Sequence, residues 1–380
     1  MNKNPKILIL YDYYVPAYKA GGPVQSLANM VELLGSDLDF YVLTGSTDLD
    51  ENKSMDGIVQ DEWVQVGKAR VYYASKRSIA VVDDVISIVN PDIIYLNGMF
   101  SLPFMVYPVL KYAKKRKLIL APRGMLAPTA LNIKKWKKTP YLFFLRLLNL
   151  HRKVTFHATK IAEEKEIKKI FSSVKSVSEI GNVPFPPLDG FTNPPMSLET
   201  LHIFTVARIS PEKNVHFIFD VLQGYQGSRK IMLHLIGNPE NEGYYLACLD
   251  ADKNLPDSIK VNWIGHLDQP EIRSKIRDYH LFILPTLGEN FGHAIFEAMG
   301  AGKPVLISNQ TPWYGLEKAK AGFVLSLDDP EIWLKKIYFF TEMDEKTYSD
   351  WSNGAWNFAR NYYDNLNLKE KYLEMFSVDS

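Results

Sequence analysis

A chain of 380 residues exceeds what one hydrophobic core comfortably organises, so two domains are expected. Apolar residues make up 46% and charged residues 23%, while 44 Lys and Arg almost cancel 43 Asp and Glu, which excludes a disordered chain and a global electrostatic grip on nucleic acid. Cys248 stands alone, so an intramolecular disulfide and a cysteine metal cluster are excluded, a usage that suits a reducing cytoplasm.

Taken in chain order, the amino-terminal apolar run is too brief for a signal sequence and reads as a buried first strand over 6–11. The segment VQSLANMVELLG then has helical spacing, with Gly35 as the expected carboxyl cap. Further strands are expected at 39–44, 70–75, 93–98, 117–122 and 153–158. Their apolar residues are continuous rather than alternating, as for parallel strands covered on both faces. The window 181–200 holds five prolines and two glycines and breaks the rhythm, which marks a linker over 184–199. Strand signals resume at 200–209, 230–237, 260–266, 280–286, 303–308 and 322–327, and the last thirty-odd residues read as helix. No stretch approaches the roughly 18–20 apolar residues of a spanning helix.

Strand–helix alternation twice over predicts an α/β protein of two doubly wound parallel sheets: residues 1–183, then the linker, then 200–354. Ligands of such sheets bind beyond the carboxyl ends of the strands, which two sheets in one chain would bring to a shared cleft. The string LPTLGENFGHAIFEAMGAGKPVLIS (284–308) has that placement. A strand ends near Pro285, a loop carries Glu289 and Asn290, and a helix starts near Gly292 with Glu297 eight positions after Glu289. The helix start offers unpaired N–H groups and partial positive charge to a diphosphate, and Gly292 permits close approach. A carboxylate such as Glu297 can accept both hydroxyls of a ribose. Singly, either glutamate reads equally as a solvated helix residue.

That string closely resembles the E-x7-E signature of the retaining, family-4 type glycosyltransferases with the GT-B fold. VARISPEKN (206–214) resembles the same family's basic donor motif, with Arg208 and Lys213 at the matching positions, and GGPVQSLANM (21–30) resembles its glycine pair. The resemblance implies two Rossmann-like domains facing a cleft, an acceptor-binding first domain joined by a carboxyl-terminal helix over 355–376, and a nucleotide-sugar-binding second domain. It implies that Glu289, Arg208 and Lys213 act in transfer, with fixed cations in place of a metal against the leaving diphosphate. Glu297, Asn290, Phe291, Gly292, Gly21, Gly22, Gly237 and His266 then hold the donor. Retention, no cofactor and deprotonation of the acceptor by the leaving phosphate are further implications. So is a glycan or lipid-linked acceptor of surface polysaccharide or lipopolysaccharide synthesis.

On the acceptor side, many relatives carry a histidine where this chain has Arg123, whose guanidinium suits an anionic acceptor or the diphosphate. The alternative is a buried turn arginine paired with a carboxylate. His157, at a strand end, suits proton relay or a structural role. Tyr13, Tyr14 and Tyr18 follow the first strand and suit sugar stacking or the core. Basic residues at 111–117 and 131–153 fit an anionic membrane surface, hence peripheral attachment on the cytoplasmic face, or a solvated helix. No nucleic-acid module is visible. An epimerase or hydrolase of the same fold and a silent sugar-binding protein stay open. A nicotinamide dehydrogenase is disfavoured, because no G-x-G-x-x-G follows the first strand.

Overall fold

The computed structural model describes residues 4–17, 19–191 and 199–377, so Tyr18 and part of the expected linker, 192–198, lie outside the described residues. The chain divides into two compact units, Met1–Val183 with Asn367–Ser380, and Pro184–Leu366.

The first unit runs β1 (Lys6–Leu10), α1 (Gly22–Leu34), β2 (Asp39–Gly45), β3 (Trp63–Val66), β4 (Ala69–Ala74), α2 (Ile79–Val89), β5 (Ile93–Asn97), α3 (Tyr107–Tyr112), β6 (Lys117–Ala121), α4 (Pro128–Asn132), α5 (Lys135–Leu147), β7 (Thr155–Ala158), α6 (Ile161–Ile170) and β8 (Ser176–Glu179). Among the described residues its eight-stranded sheet has the order β3-β4-β2-β1-β5-β6-β7-β8, parallel except for the β3–β4 pair. Central strands such as β5 are buried throughout, which is why apolar residues dominate their sequences, as Ile93–Leu96 do in β5. The two strands that sequence reading does not anticipate, β3 and β8, are the edges. Their residues are half-buried or exposed, and SVSE in β8 carries no apolar run. Gly35 does close α1, but not in the left-handed conformation expected of such a cap (φ −69). An added Cβ there would sit 2.5 Å from Lys68 Cβ, so close packing, not a left-handed turn, is what a side chain would violate.

The second unit runs β9 (Thr200–Val206), α7 (His216–Leu222), β10 (Lys230–Ile236), α8 (Glu242–Asp252), β11 (Ile259–Gly265), α9 (Gln269–Lys275), β12 (Leu281–Leu284), α10 (His293–Gly300), β13 (Val305–Ser308), β14 (Gly322–Leu325), α11 (Pro330–Thr341) and α12 (Glu345–Asn365). Its all-parallel sheet has the order β11-β10-β9-β12-β13-β14. One face packs on Phe219, Leu222, Trp333, Ile337 and Phe340, the other on Phe296, Met299, Trp313, Ala355 and Ala359. Both faces are therefore dry, as a parallel sheet requires. Where one helix over 355–376 is expected, the chain makes two. Asn367 adopts a left-handed conformation (φ 48) and separates α12 from α13 (Leu368–Met375). Residues up to Leu366 belong to the second unit, and α13 belongs to the first, where the Tyr372 hydroxyl donates to the Gly181 carbonyl at 3.1 Å.

Gly322 opens β14 at φ +145, and a Cβ there would lie 2.1 Å from the Val305 carbonyl oxygen. Both atoms belong to paired backbone that cannot yield. Gly322→Ala is expected to destabilise the protein by about 2 kcal/mol or more, read as a lower urea midpoint at an unchanged m-value.

Candidate active site

The wind of the second sheet reverses at β9. The chain moves outward through β10 and β11, then returns to the other side of β9 with β12. The crevice beyond the carboxyl ends of β9 and β12 is thus the switch point, where loops diverge and leave backbone groups open to a ligand. The loop after β9 supplies Arg208 and Lys213, and the loop after β12 supplies Glu289, Asn290, Phe291 and Gly292.

Backbone contacts lock these two loops together. Leu287 N–H donates to the Glu212 carbonyl at 2.8 Å, and Thr286 Oγ1 donates to the same oxygen at 3.2 Å. Glu289 N–H donates to the Gln310 carbonyl at 3.1 Å. The result is a Lys213 Nζ–Glu289 Oε1 ion pair of 2.7 Å whose side chains are only 13% and 16% exposed. Two residues 76 positions apart are brought into contact at the switch point. Arg208 is half-exposed and paired to Glu240 at 2.5 Å. Arg208 and Lys213 thus belong to one loop but have different carboxylate partners.

Gly237 follows β10 at φ +145, and a Cβ on it would lie 2.0 Å from the Ala207 carbonyl oxygen. Only a glycine lets the β10 loop close on the backbone leading to Arg208. Ile209 N–H, bonded to the Asn238 carbonyl at 2.9 Å, continues that contact. His266, exposed, follows β11 on the same edge. Lys303 of the glycine-rich string takes no part. It is buried, donates to the Arg277 carbonyl, and is pulled down to about 7 by burial.

Gly292 precedes α10 in the left-handed conformation (φ 77) and leaves the first N–H groups of that helix without a side-chain cap. Glu297 lies in the second turn of α10, in a small pocket with Phe185, Leu188, Arg273, Ile276 and Phe296. Its Oε1 is shielded from solvent and has no hydrogen-bond partner among the described residues. Burial pushes the carboxyl up to about 7, only partly offset by Arg273. His293, which sequence reading does not single out, is another such residue on α10. Both ring nitrogens are shielded and without a partner, and burial pulls its pKa down to about 4. Its position directly after Gly292 was the available signal.

The first unit treats its expected residues differently. Gly21 caps α1 at φ +73 with open space where a Cβ would point, and Gly22 is the first helical residue. Arg123 also has positive φ (55), and among the described residues it forms no ion pair with a carboxylate. Its guanidinium donates to Asn97 Oδ1 at 2.8 and 2.9 Å, to Asn182 Oδ1 at 2.9 Å and to the Tyr95 hydroxyl at 3.0 Å. His157 is a correction. It is fully buried, with Nε2 2.9 Å from the Ile180 carbonyl and Nδ1 2.7 Å from the Tyr95 hydroxyl. The carbonyl can only accept, so Nε2 carries the proton and Nδ1 accepts from Tyr95. Burial drives its pKa down to about 3, so it is a neutral structural ring, not a proton relay. Tyr14 is corrected likewise. Its side chain is in the core, with its hydroxyl raised by burial, and it has no face for a sugar. Tyr13 is half-buried, under the Arg77 guanidinium at 5.1 Å. Among the described residues no group of three His, Cys, Asp or Glu could hold a metal ion.

Residues 195–357 match the glycosyl transferases group 1 family. A curated relative, the GtfA subunit of a UDP-N-acetylglucosamine–peptide N-acetylglucosaminyltransferase from Streptococcus gordonii, is 23% identical over 195 residues, 48% of this chain. The match covers 37% of that relative, so the likeness spans little more than a third of its length. Among solved structures, HepE of Anabaena in complex with UDP and glucose superposes over 98% of this chain and 99% of its own, with a TM-score of 0.62 at 16% identity. A sucrose-phosphate synthase of Thermosynechococcus elongatus covers 99% and 100%, at 0.68 and 12%. WaaG, a glycosyltransferase involved in lipopolysaccharide biosynthesis, covers 98% and 100%, at 0.64 and 11%. At these identities the likeness shows a shared fold, the two-unit α/β architecture called GT-B.

The sign of the Glu297 effect is testable without a ligand. A carboxyl raised from its ordinary 4.5 to about 7 on folding contributes stability below pH 4.5 that is lost as pH climbs through 7. Glu297→Gln is therefore expected to melt higher than wild type above pH 7, with the gap closing below about pH 5 in a thermal-shift series.

Proposed function

We propose that this chain, a member of the glycosyl transferases group 1 through its residues 195–357, moves a sugar from a nucleoside-diphosphate sugar to a glycan or lipid-linked acceptor, retaining the anomeric configuration and using no metal. The observation that carries the reading is the largely buried Lys213–Glu289 pair at the β9–β12 switch point, beside an uncapped helix start. The UDP and glucose of the HepE complex favour a uridine diphosphate donor.

The chemistry follows from the partners each group lacks or can exchange. A departing diphosphate gains negative charge, and only contacts that strengthen as it gains charge accelerate the step. Lys213 supplies a point charge already oriented by Glu289. Arg208, half-exposed on its Glu240 tether, supplies a planar fork that can exchange one carboxylate for phosphate oxygens. The first N–H groups of α10 add dipoles to the same anion. Glu289, relieved of part of its partner's charge by the phosphate, is left to accept from hydroxyls of the donor sugar. Glu297 needs hydrogen-bond donors for its orphaned oxygen, and a ribose diol provides two.

Arg208→Ala should lower kcat by about a hundredfold or more with little change in donor KM, because the lost contact matters most in the transition state. Equal losses through KM alone would remove that assignment. Donor binding by wild type should tighten as pH rises through about 7, since ribose hydroxyls favour the ionised Glu297 carboxyl. The same titration on Glu297→Gln should be flat and weak. Turnover should persist in a chelator, and consumption of donor without a transferred product would favour a hydrolase or epimerase instead.

A further inference from the structure

Residues 93–162 contain 14 Lys and Arg and no Asp or Glu, although the whole chain is nearly neutral. Part of that charge is spent inside the fold. Lys111 binds Asp83 at 2.6 Å, Arg116 donates to the Pro91 carbonyl and Asn90, and Lys117 donates to the Ser377 carbonyl. Half of the 14, from Lys134 to Lys153, lie in or beside α5.

At about 100° per residue, Lys138, Tyr141, Leu142 and Leu145 share one side of α5. Leu142 and Leu145 are buried there, Tyr141 meets the Phe100 ring, and Lys138 Nζ donates to the Ala130 carbonyl. The opposite side holds Trp136, Phe143 and Leu147 in one stripe, widened by Phe144, Leu148 and the preceding Ile133. These six are 48–74% exposed, Trp136 most of all. A helix that is apolar on its outer as well as its inner side leaves a contiguous greasy face in water, which marks an interaction site. Lys134, Lys135 and Lys137 flank the stripe at its amino end, Arg146, Arg152 and Lys153 at its carboxyl end, all of them exposed.

We propose that the outer side of α5 docks on an anionic lipid bilayer. Trp136, Phe143 and Leu147 enter the boundary between headgroups and acyl chains, and the flanking cations meet lipid phosphates. Charge selects this occupant. Two copies of the chain meeting through the same face would set lysines against lysines with no carboxylate between them. A nucleic acid would strand the aromatic and aliphatic stripe, because its interfaces are polar and wet. The inference does not depend on the transfer reaction, since docking requires neither donor nor acceptor.

The test is co-sedimentation of the whole protein with phosphatidylcholine vesicles, with and without phosphatidylglycerol. Binding to the anionic vesicles, falling as salt rises, is expected, together with quenching of tryptophan fluorescence by brominated lipid that is reduced in Trp136→Phe. The triple variant Trp136→Ser, Phe143→Ser, Leu147→Ser should partition roughly tenfold less or weaker, with an unchanged thermal midpoint and donor turnover. Substituting glutamine at Lys134, Lys135 and Lys137 should abolish the preference for anionic lipid while the midpoint holds. Wild-type partitioning by the triple variant would overturn the proposal. So would a dimer of the wild type in light scattering that the triple variant converts to monomer, which would assign the face to a second copy.

Discussion

The second unit depends on the change of direction at β9. In a parallel sheet every strand ends on the same edge, and successive connections ordinarily cover that edge as they cross over. Where the wind reverses, the loops after β9 and β12 leave in opposite directions, and an uncovered crevice remains between two adjacent strand ends. The bonds from the Leu287 N–H and the Thr286 hydroxyl to the Glu212 carbonyl then hold both loops at one separation. The Lys213–Glu289 contact is a consequence of that lock. Mostly withdrawn from water, the pair is screened far less than a surface ion pair.

Around its expected functional residues each unit holds both partnered and orphaned polar atoms. In the first unit Arg123, Tyr95, His157 and Asn182 form a chain in which each side chain has a partner, while Asn97, which accepts from Arg123, keeps a shielded Nδ2 without one among the described residues. Ser26 and Asn29 of α1 tie the same segment down through Asn182 and the Val183 carbonyl. Such a network rigidifies the segment. In the second unit Glu297 and His293, both on α10, keep shielded atoms without partners. Orphaned polar atoms cost folding energy, so a donor to the Glu297 oxygen would recover part of that cost.

Charge is distributed with the same economy. Lys213 and Arg208 are held by Glu289 and Glu240, so the donor edge carries cations whose counter-charges are close at hand. The exposed lysines and arginines around α5 have no carboxylate in their own stretch of sequence, and they surround a face too apolar for water. The first arrangement suits a ligand that comes and goes with the loss of a leaving group. The second suits a large anionic surface met edge-on.

Local sequence was enough for the central strands, because a strand covered on both faces must be apolar along its middle, as Ile7–Leu10 of β1 and Ile93–Leu96 of β5 are. It was enough, too, for the grouping of Glu289, Gly292 and Glu297 on one loop and helix, whose spacing is a local property. It could not reveal β3 and β8, since an edge strand needs no continuous apolar run, nor the break at Asn367, which separates helices belonging to different units. Burial is decided by what arrives from elsewhere in the chain. His157 became a sealed neutral ring only because Tyr95 and the Ile180 carbonyl closed on both its nitrogens, and Tyr14 joined the core although its neighbour Tyr13 did not. Residue types and their local spacing are written in the chain. The partner that satisfies, neutralises or abandons each polar atom is chosen only when distant segments pack, because hydrogen bonding and desolvation act between whichever atoms finally touch.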